Sequence, residues 1–332
     1  MENELNEPTA IHFESRLDMS ELSQGMDAIR TELKKVIVGQ DKVIDYLLAA
    51  MLANGHVLLE GVPGVAKTMA VKLLAKTLDL KFSRIQFTPD LMPADILGTS
   101  IFDLKKSEFE FHPGPVFANL VLIDEVNRAP AKTQAALFEV MDERQITIDG
   151  KTYTMETPFL VMATQNPVEQ EGTYRLPEAQ LDRFMFKVLI DYPALEDEFE
   201  IIRREHEAVD GDKTADVNTV VDGAKLSVYK TLVRSIVVEK HLIEYIACIV
   251  QSTRENPFLY LGASPRASLA ILNASKGFAA LRGRDFVTPD DIKDSAVVVL
   301  QHRILVSPEK EMEGVKAEEI VKQIIDSVDV PR

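Results

Sequence analysis

Residues 57–68 read VLLEGVPGVAKT, and residues 120–125 read LVLIDE. In the first stretch, a short apolar run leads into a glycine-rich loop that ends in Lys67 and Thr68. In the second, another apolar run ends in paired carboxylates. Short apolar runs with little alternation are typical of strands that are buried on both faces. Together the two stretches predict a site for a nucleoside triphosphate and its Mg²⁺ at the ends of two strands.

The residue types in these stretches match what each part of such a site needs. Backbone N–H groups of the loop and the amine of Lys67 can contact phosphate oxygens. The Thr68 hydroxyl and the Asp124 carboxylate are predicted to ligate Mg²⁺, and Glu125 is predicted to orient or activate water. The predicted nucleotide-binding residues of the loop are Gly61, Val62, Pro63, Gly64, Val65, Ala66, Lys67, Thr68 and Met69.

The loop departs from the strict pattern G-x-x-x-x-G-K-S/T, because Ala66 stands where the second glycine is expected. Alanine is acceptable at this position, the entry to the following helix, if its backbone is right-handed. The alternative interpretation is an ordinary Gly/Pro turn with a solvated Lys67. The downstream run ending in Asp124 and Glu125 is the context that a phosphate site requires, so it favours the phosphate site.

The composition is that of a globular protein with an acidic surface. Of 332 residues, 46% are hydrophobic and 27% are charged, and the length predicts two domains. The net charge of −16 disfavours nucleic acid and anionic membranes as partners. No apolar stretch approaches a membrane span and the first residues lack an export signal, so we expect a cytoplasmic protein without membrane insertion.

The single cysteine and the six histidines carry little chemistry of their own. Cys248 suits a reducing compartment and is expected to pack as a small buried hydrophobe. The histidines are scattered without metal-ligand spacing. The magnesium ion that accompanies the nucleotide is therefore the metal that the sequence implies.

Strands that alternate with helices predict an α/β fold built on a parallel sheet with right-handed crossovers. We expect a flexible arm over residues 1–18, an α/β nucleotide-binding domain over 19–193, and a small all-helical lid over 194–332, helical throughout after Lys225 with four or five helices. The predicted strands cover residues 56–60, 82–87, 119–123, 159–164 and 185–190. The first five predicted helices cover residues 20–36, 41–53, 67–78, 90–97 and 195–206.

A phosphate loop on a parallel sheet, followed by a small helical domain, resembles the AAA+ ATPases over about residues 20–330. The string ATQNP at 163–167 matches the sensor 1 position, a polar residue beside the phosphates, at Asn166. IVGQ at 37–40 resembles the segment that lies over the adenine in this family. The further nucleotide contacts that this resemblance implies are Val38, Gly39 and Gln40.

The string LPEAQLDRF at 176–184 matches the segment that carries the arginine finger of this family. The resemblance implies Arg183 as the finger, with Arg175 as a nearby alternative. We expect Arg183 at the sheet end where the phosphates sit, completing the site of a neighbouring subunit. The alternative is a purely structural ion pair with Asp182 or Glu178.

Three further polar residues have candidate roles. GASPR at 262–266 resembles the start of the sensor 2 helix, which implies that Arg266 reaches the γ-phosphate from the lid. A cation in a first helical turn opposes the dipole, which favours an anionic ligand over plain solvent exposure. The Asn166 amide can hold the attacking water in line, although Asn-Pro is also a common turn pair. Asn127 can hydrogen-bond Glu125 as a switch.

Three strings narrow the resemblance to the MoxR group, in which alanine is usual at position 66: GVPGVAKT, LIDEVNRA, and ATQNP followed by LPEAQLDRF. Membership implies ATP hydrolysis with Mg²⁺ in a homo-oligomeric ring, a hexamer. It also implies a chaperone-like task, in which lid rotation remodels, matures or activates a partner protein, often one with a von Willebrand factor A domain. Residues 98–116 resemble the family's helix 2 insert and residues 145–157 a second hairpin, both facing the pore or the partner.

Two other functions stay open on the sequence. Helicases of the minichromosome-maintenance type and magnesium chelatase ATPase subunits share the helix 2 insert, so a nucleic-acid motor or a chelatase-like subunit is one alternative. The acidic net charge argues against the helicase. The other alternative is a nucleotide-gated scaffold that does not hydrolyse ATP, and the presence of Glu125 argues against it.

Overall fold

The computed structural model describes residues 17–62, 64–167, 174, 176–207 and 214–331. Most of the predicted arm therefore lies outside the described residues. The strands are β1 (His56–Gly61), β2 (Phe82–Gln86), β3 (Gly98–Asp103), β4 (Glu108–Pro113), β5 (Leu120–Asp124), β6 (Gln145–Ile148), β7 (Lys151–Thr154), β8 (Leu160–Gln165), β9 (Phe184–Ile190), β10 (Leu259–Leu261) and β11 (Leu305–Val306). The helices are α1 (Ser20–Lys34), α2 (Asp41–Leu52), α3 (Lys67–Thr77), α4 (Pro93–Leu97), α5 (Ala131–Glu143), α6 (Glu178–Leu181), α7 (Leu195–Glu207), α8 (Gly223–Ser235), α9 (Lys240–Glu255), α10 (Pro265–Leu281), α11 (Pro289–Leu300), α12 (Pro308–Met312) and α13 (Ala317–Ser327).

The centre of the molecule is a five-stranded sheet in the order β2-β5-β8-β1-β9, and every pairing in it is parallel. This confirms the predicted α/β fold. Helices cover both faces, so successive residues of one strand enter different cores. In β1, Val57 and Leu59 join the core formed with α1, α2 and α3, whereas Leu58 joins the core formed with α5. Burial on both faces explains the near-continuous apolar runs.

The register of β1 against β9 fixes which residues lie at which end of the sheet. His56 pairs with Phe184 at the amino end, and Gly61 pairs with Ile190 at the carboxyl end. Five residues of strand separate the two ends by about 16 Å. Residues that follow β1 therefore lie far from residues that precede β9.

The lid packs directly on the helix that precedes β1. Where α10 crosses α2, a Cβ on Gly277 would lie 2.9 Å from the backbone oxygen of Ala49, so only glycine allows this approach. The rings of Tyr46, Phe186 and Phe278 join α2, β9 and α10, with centroids 6.0 to 6.1 Å apart. Sheet and lid thus share one hydrophobic core.

The C-terminal segment differs from the prediction in two respects. It contains a short antiparallel pair, β10 with β11, and so is not helical throughout. Six helices, α8 to α13, lie within residues 214–331, where four or five were expected. Strands of three and two residues are too short to show a period of two, so the sequence pattern does not predict them.

Two hairpins project from the α/β part of the molecule. β3 pairs with β4, and β6 pairs with β7, which confirms the hairpin predicted within residues 145–157. The hairpins meet where the rings of Phe111 and Tyr153 lie 4.3 Å apart. The apolar side chains that the first hairpin leaves exposed are Ile101, Phe102, Leu104 and Phe109.

Cys248 is exposed, so the expectation that it is buried is wrong. The inward face of α9 is formed by Leu242, Ile246 and Ile249, and Cys248 falls on the opposite side of the helical turn. Within the described ranges, no helix combines the length and the apolar character needed to cross a membrane.

Candidate active site

The predicted phosphate loop joins the carboxyl end of β1 to the first residue of α3. Pro63 lies outside the described residues. Gly64 has φ +86°, a conformation that favours glycine, and a Cβ added there would meet no atom within 4 Å. The loop therefore borders open space at the N-terminus of α3, where unpaired N–H groups and the helix dipole attract anions.

Ala66 has the left-handed conformation, with φ 57° and ψ 21°, immediately before α3. The right-handed backbone that would make alanine acceptable at this position is therefore not present. A left-handed alanine costs about 1 kcal/mol relative to its preferred conformation. The loop needs a glycine-like backbone here, as in the strict pattern, and this chain keeps the backbone without the glycine.

The side chain of Lys67 turns back over the carboxyl edge of the sheet. Its amine donates to the backbone oxygen of Gly61 and lies 3.4 Å from that of Gln165. The positive charge is thus placed between the ends of β1 and β8, beside the loop. Ligands of parallel α/β sheets bind at this carboxyl edge.

Thr68 and Asp124 meet at the same edge, although 56 residues separate them in the sequence. Thr68 Oγ1 donates to Asp124 Oδ1 over 3.1 Å, and Thr164 Oγ1 lies 3.3 Å from the same carboxylate oxygen. Asp124 is only 5% exposed. Hydroxyl and carboxylate oxygens are the donors that Mg²⁺ prefers, so the set fits a nucleotide-bound magnesium ion.

The second carboxylate oxygen of Asp124 is held from the edge strand of the sheet. Arg84 Nε in β2 lies 2.5 Å from Asp124 Oδ2. One oxygen is thereby neutralised and fixed, and the other is turned toward Thr68. Arg84 controls the orientation of the predicted metal ligand.

Glu125 has a strained backbone, with φ 56° and ψ 54°, and its side chain contacts two neighbouring residues. Its carboxylate accepts from Gln86 Nε2 over 2.8 Å and lies 3.0 Å from Arg128 Nε. Its own N–H donates to Thr164 Oγ1 over 3.0 Å. The predicted switch partner Asn127 does not contact the carboxylate in the described part of the chain. Strain of this kind in a non-glycine residue is characteristic of functional positions.

Asn166 lies directly after β8 at the same carboxyl edge, beside Gln165, and is 8% exposed. The structure therefore brings most of the predicted site residues to one place. Those gathered at this edge are Gly61, Val62, Gly64, Val65, Ala66, Lys67, Thr68, Met69, Asp124, Glu125 and Asn166.

The segment predicted to cover the adenine is tied to the phosphate loop. Gln40 Nε2 donates to the backbone oxygen of Val65 over 2.9 Å. The other amide atom, Gln40 Oε1, is buried and has no hydrogen-bond partner in the described chain. Gly39, with φ 71°, allows α7 to approach so closely that a Cβ there would collide with Asp197. A buried free acceptor near the loop fits the amino group of a purine base.

Arg183 lies at the opposite end of the sheet, which contradicts our expectation that it would lie where the phosphates sit. It directly precedes Phe184, the residue of β9 that pairs with His56. The strand register places it about 16 Å from the carboxyl edge. In a parallel sheet the residue that precedes a strand lies at the amino edge, so the expectation for Arg183 was inconsistent with the predicted parallel sheet.

Arg266 lies beside Arg183 and so does not reach the phosphate loop of its own chain in this structure. Both arginines contact Asp142 at the end of α5, Arg183 through Nε and Arg266 through a nitrogen 3.5 Å from the carboxylate. About half of the Arg266 side chain is exposed. The lid arginine expected to act on its own γ-phosphate instead shares a face with Arg183. Arg175, the alternative finger, lies outside the described residues.

Asp182 anchors this arginine face to the lid. Its carboxylate accepts from Arg303 Nε over 2.7 Å and from Ser264 Oγ over 2.9 Å. Arg303 is almost fully buried and also donates to the backbone oxygens of Phe184 and Met185. Burial lowers the pKa of Arg303, and its pairing with Asp182 opposes that shift. Two side chains of the lid region thus hold the segment that precedes β9.

Sequence reasoning missed the side chains that orient the two carboxylates. Arg84 and Gln86 extend from β2 to Asp124 and Glu125, and Thr164 extends from β8 to both. The sequence does contain a feature that points to Arg84 and Gln86, because both are polar residues on one face of a predicted strand. The pairing of that strand with β5 was not readable from the sequence.

Comparison with known proteins places the chain in a family. Residues 56–186 match the ATPase family associated with various cellular activities (AAA), and residues 251–324 match the AAA lid domain. The chain is 44% identical to the chaperone MoxR1 of Mycobacterium tuberculosis over 91% of this chain and 81% of that protein. It is 46% identical to the uncharacterised protein YeaC of Bacillus subtilis, over 90% and 92% of the two chains.

A solved structure supports the same placement. The crystal structure of a candidate ATPase from Cytophaga hutchinsonii superposes with a TM-score of 0.87 at 42% identity. The match covers 95% of this chain and 97% of that one, so it includes both the sheet and the lid.

Proposed function

This chain belongs to the MoxR-type AAA+ ATPases, and on that basis we propose that it hydrolyses ATP at the carboxyl edge of its sheet. The observation that carries the proposal is the convergence of distant residues. Thr68 Oγ1 lies 3.1 Å from Asp124 Oδ1, while the Lys67 amine reaches the ends of β1 and β8. No local turn would require this arrangement of an ammonium, a hydroxyl and a carboxylate.

Each residue has a defined task in the proposed reaction. Lys67 neutralises the phosphates, and Thr68 with Asp124 holds Mg²⁺, which supplies charge neutralisation when bound. Glu125 accepts a proton from water as the water oxygen attacks the γ-phosphorus and the bond to ADP breaks. Asn166 keeps that water in line.

The arginines at the amino end of the sheet serve a second subunit in this proposal. Arg183 and Arg266 share Asp142 on one face, about 16 Å of strand away from their own phosphate loop. A head-to-tail contact brings this face onto the carboxyl edge of the next chain, and repetition closes a ring. We propose a cytoplasmic hexamer in which each ATP lies between two chains.

The output of hydrolysis is proposed to act on a partner protein. Because Asp182 ties the arginine face to the lid, a change at the neighbour's γ-phosphate is passed to lid helices. The exposed side chains of the first hairpin offer an apolar grip for a client. Remodelling or activation of a client, such as one with a von Willebrand factor A domain, is the task that family membership favours.

The proposal is tested first by nucleotide binding. Lys67→Ala should weaken binding of a fluorescent ATP analogue by roughly 10- to 100-fold, because a charge-assisted phosphate contact is lost. Asp124→Asn should remove most of the gain in affinity that Mg²⁺ provides. The matched control is Lys72→Ala, an exposed lysine of the same helix, which should bind as the parent protein does. Equal behaviour of the two lysine variants would refute the site.

A further inference from the structure

A second concave site lies at the amino end of the sheet, away from the proposed ATP site. It is a cavity of about 310 Å³, at the lower end of the range for small-molecule sites. Its polar wall contains Asn54 after α2, Arg144 after α5, Arg234 in α8, and Asn273 and Lys276 in α10. Five separate parts of the chain therefore contribute to one hollow, since Met185 of β9 completes it.

The cavity gathers positive charge without matching negative charge. Arg144, Arg234 and Lys276 line it, and Lys230 lies behind Asn54, donating to Asn54 Oδ1 over 2.6 Å. Within residues 17–331 as far as they are described, none of these four cations forms an ion pair with a carboxylate. The chain as a whole has 53 acidic and 37 basic residues, so a hollow lined by cations and by no carboxylate has the opposite charge to the rest of the molecule.

Helix ends offset only part of this charge. The C-termini of α2, α5 and α8 meet here, and two carbonyls near them are contacted. Arg144 donates to Asn54 O over 3.0 Å, and Lys276 donates to Arg234 O over 2.8 Å. Three helix C-termini contribute about −1.5 charges in total, which leaves roughly two and a half of the four positive charges uncompensated. Helix capping alone does not account for the cluster.

The electrostatic cost of bringing these cations together is seen in the pKa of Lys230, the most buried of the four. Burial, followed by the charges of Arg144 and Arg234, lowers the pKa of Lys230 to about 7. Burial also lowers the pKa of Lys276, and burial with the charge of Arg234 lowers that of Arg144. The groups that face Lys230 are thus cationic or neutral on each element around it.

We propose that this cavity binds a small phosphate-bearing anion, with a diphosphate group as the chemistry that fits best. Two guanidinium forks and a lysine suit phosphate oxygens, and the charge left over by the helix ends matches an anion of about two to three charges. A hollow of this size, open to solvent on one side, suits a small molecule better than a protein surface. The proposal goes beyond ATP hydrolysis and does not depend on it.

The test uses inorganic pyrophosphate as the probe, in the full chain carrying Lys67→Ala and without Mg²⁺, so that the phosphate loop does not compete. Isothermal titration should show one saturable site per chain. Adding Arg234→Gln and Lys276→Gln should weaken pyrophosphate binding roughly 10- to 100-fold, because contacts to a charged ligand are lost. The matched control is Lys240→Gln, which removes one exposed charge from the lid and should leave the affinity within about twofold.

A second readout separates a ligand site from a structural cluster. Lys230→Met should raise the melting temperature of the ligand-free protein, because a buried cation is removed. The same substitution should weaken the binding of pyrophosphate. In the protein that keeps Lys230, pyrophosphate should also bind more tightly as the pH falls from 8 to 6, since Lys230 becomes charged near pH 7. The same pH series on Lys230→Met corrects for protonation of the probe itself.

Three results would overturn the proposal. One is the absence of saturable pyrophosphate binding when all four cations are present. Another is unchanged affinity in the Arg234→Gln and Lys276→Gln protein. The third is a loss of self-association in that variant without pyrophosphate binding in the parent, which would assign the cavity to a carboxylate of a second copy.

Discussion

Arg183→Ala should lower kcat for ATP hydrolysis by about 10³-fold, the lower end of the effect of an arginine finger. The affinity of each chain for ATP should stay unchanged, because Arg183 lies at the amino end of the sheet, opposite its own phosphate loop. Steady-state turnover and binding of a fluorescent ATP analogue measure the two quantities separately.

The control for this variant is Arg30→Ala. Arg30 is also ion-paired, with Asp27 and Asp45, but it belongs to α1 and has no proposed part in the site. Its loss should leave turnover unchanged. A similar loss of turnover in both variants, or weaker ATP binding by Arg183→Ala, would show that Arg183 only supports the fold.

Glu125→Gln should lower kcat by about 10²- to 10⁴-fold, the contribution of a positioned general base. The amide cannot take the proton from water, but it keeps the shape of the side chain and can still bind Gln86. ATP binding should therefore be retained, and the protein should hold ATP without releasing phosphate. Phosphate release in a single turnover measures the chemical step directly.

The matched control is Glu255→Gln, which changes an exposed glutamate of α9 whose one side-chain partner among the described residues is Gln251. Turnover should be unaffected by it. Unchanged turnover in Glu125→Gln as well would mean that this carboxylate does not activate water. ATP binding without any turnover in the parent protein would instead support the nucleotide-gated scaffold.

Local features of the phosphate site could be predicted from the sequence because they depend on neighbours in the chain. An apolar run, a glycine-rich turn and Lys67-Thr68 specify strand, loop and helix within twelve residues. The second run ending in Asp124 is equally local. Their convergence follows from a general rule, since carboxyl ends of parallel strands share an edge.

What could not be predicted depends on pairing across the sheet or on backbone detail. The parallel direction of β9 alone places Arg183 at the amino edge, but no local pattern shows that Arg266 of the lid joins it there through Asp142. The left-handed Ala66 reflects the demands of the loop, which override the usual preference of alanine.

The cationic cavity could not be predicted from the sequence either. Arg144, Lys230, Arg234 and Lys276 are spread over more than 130 positions of an acidic sequence, so no local pattern joins them. They meet because three helices end at one place. Charge clusters of this kind become visible only when the packing of helices is known.

The most direct test of the account is a mixture of two inactive proteins. Arg183→Ala chains bind ATP but offer no finger, whereas Lys67→Ala chains offer a finger but bind ATP poorly. If each site is shared between neighbours, equal amounts should recover about one quarter of the parent turnover, since half of the chains bind ATP and half of those meet an intact finger. Turnover equal to the average of the two separate proteins would contradict the shared site.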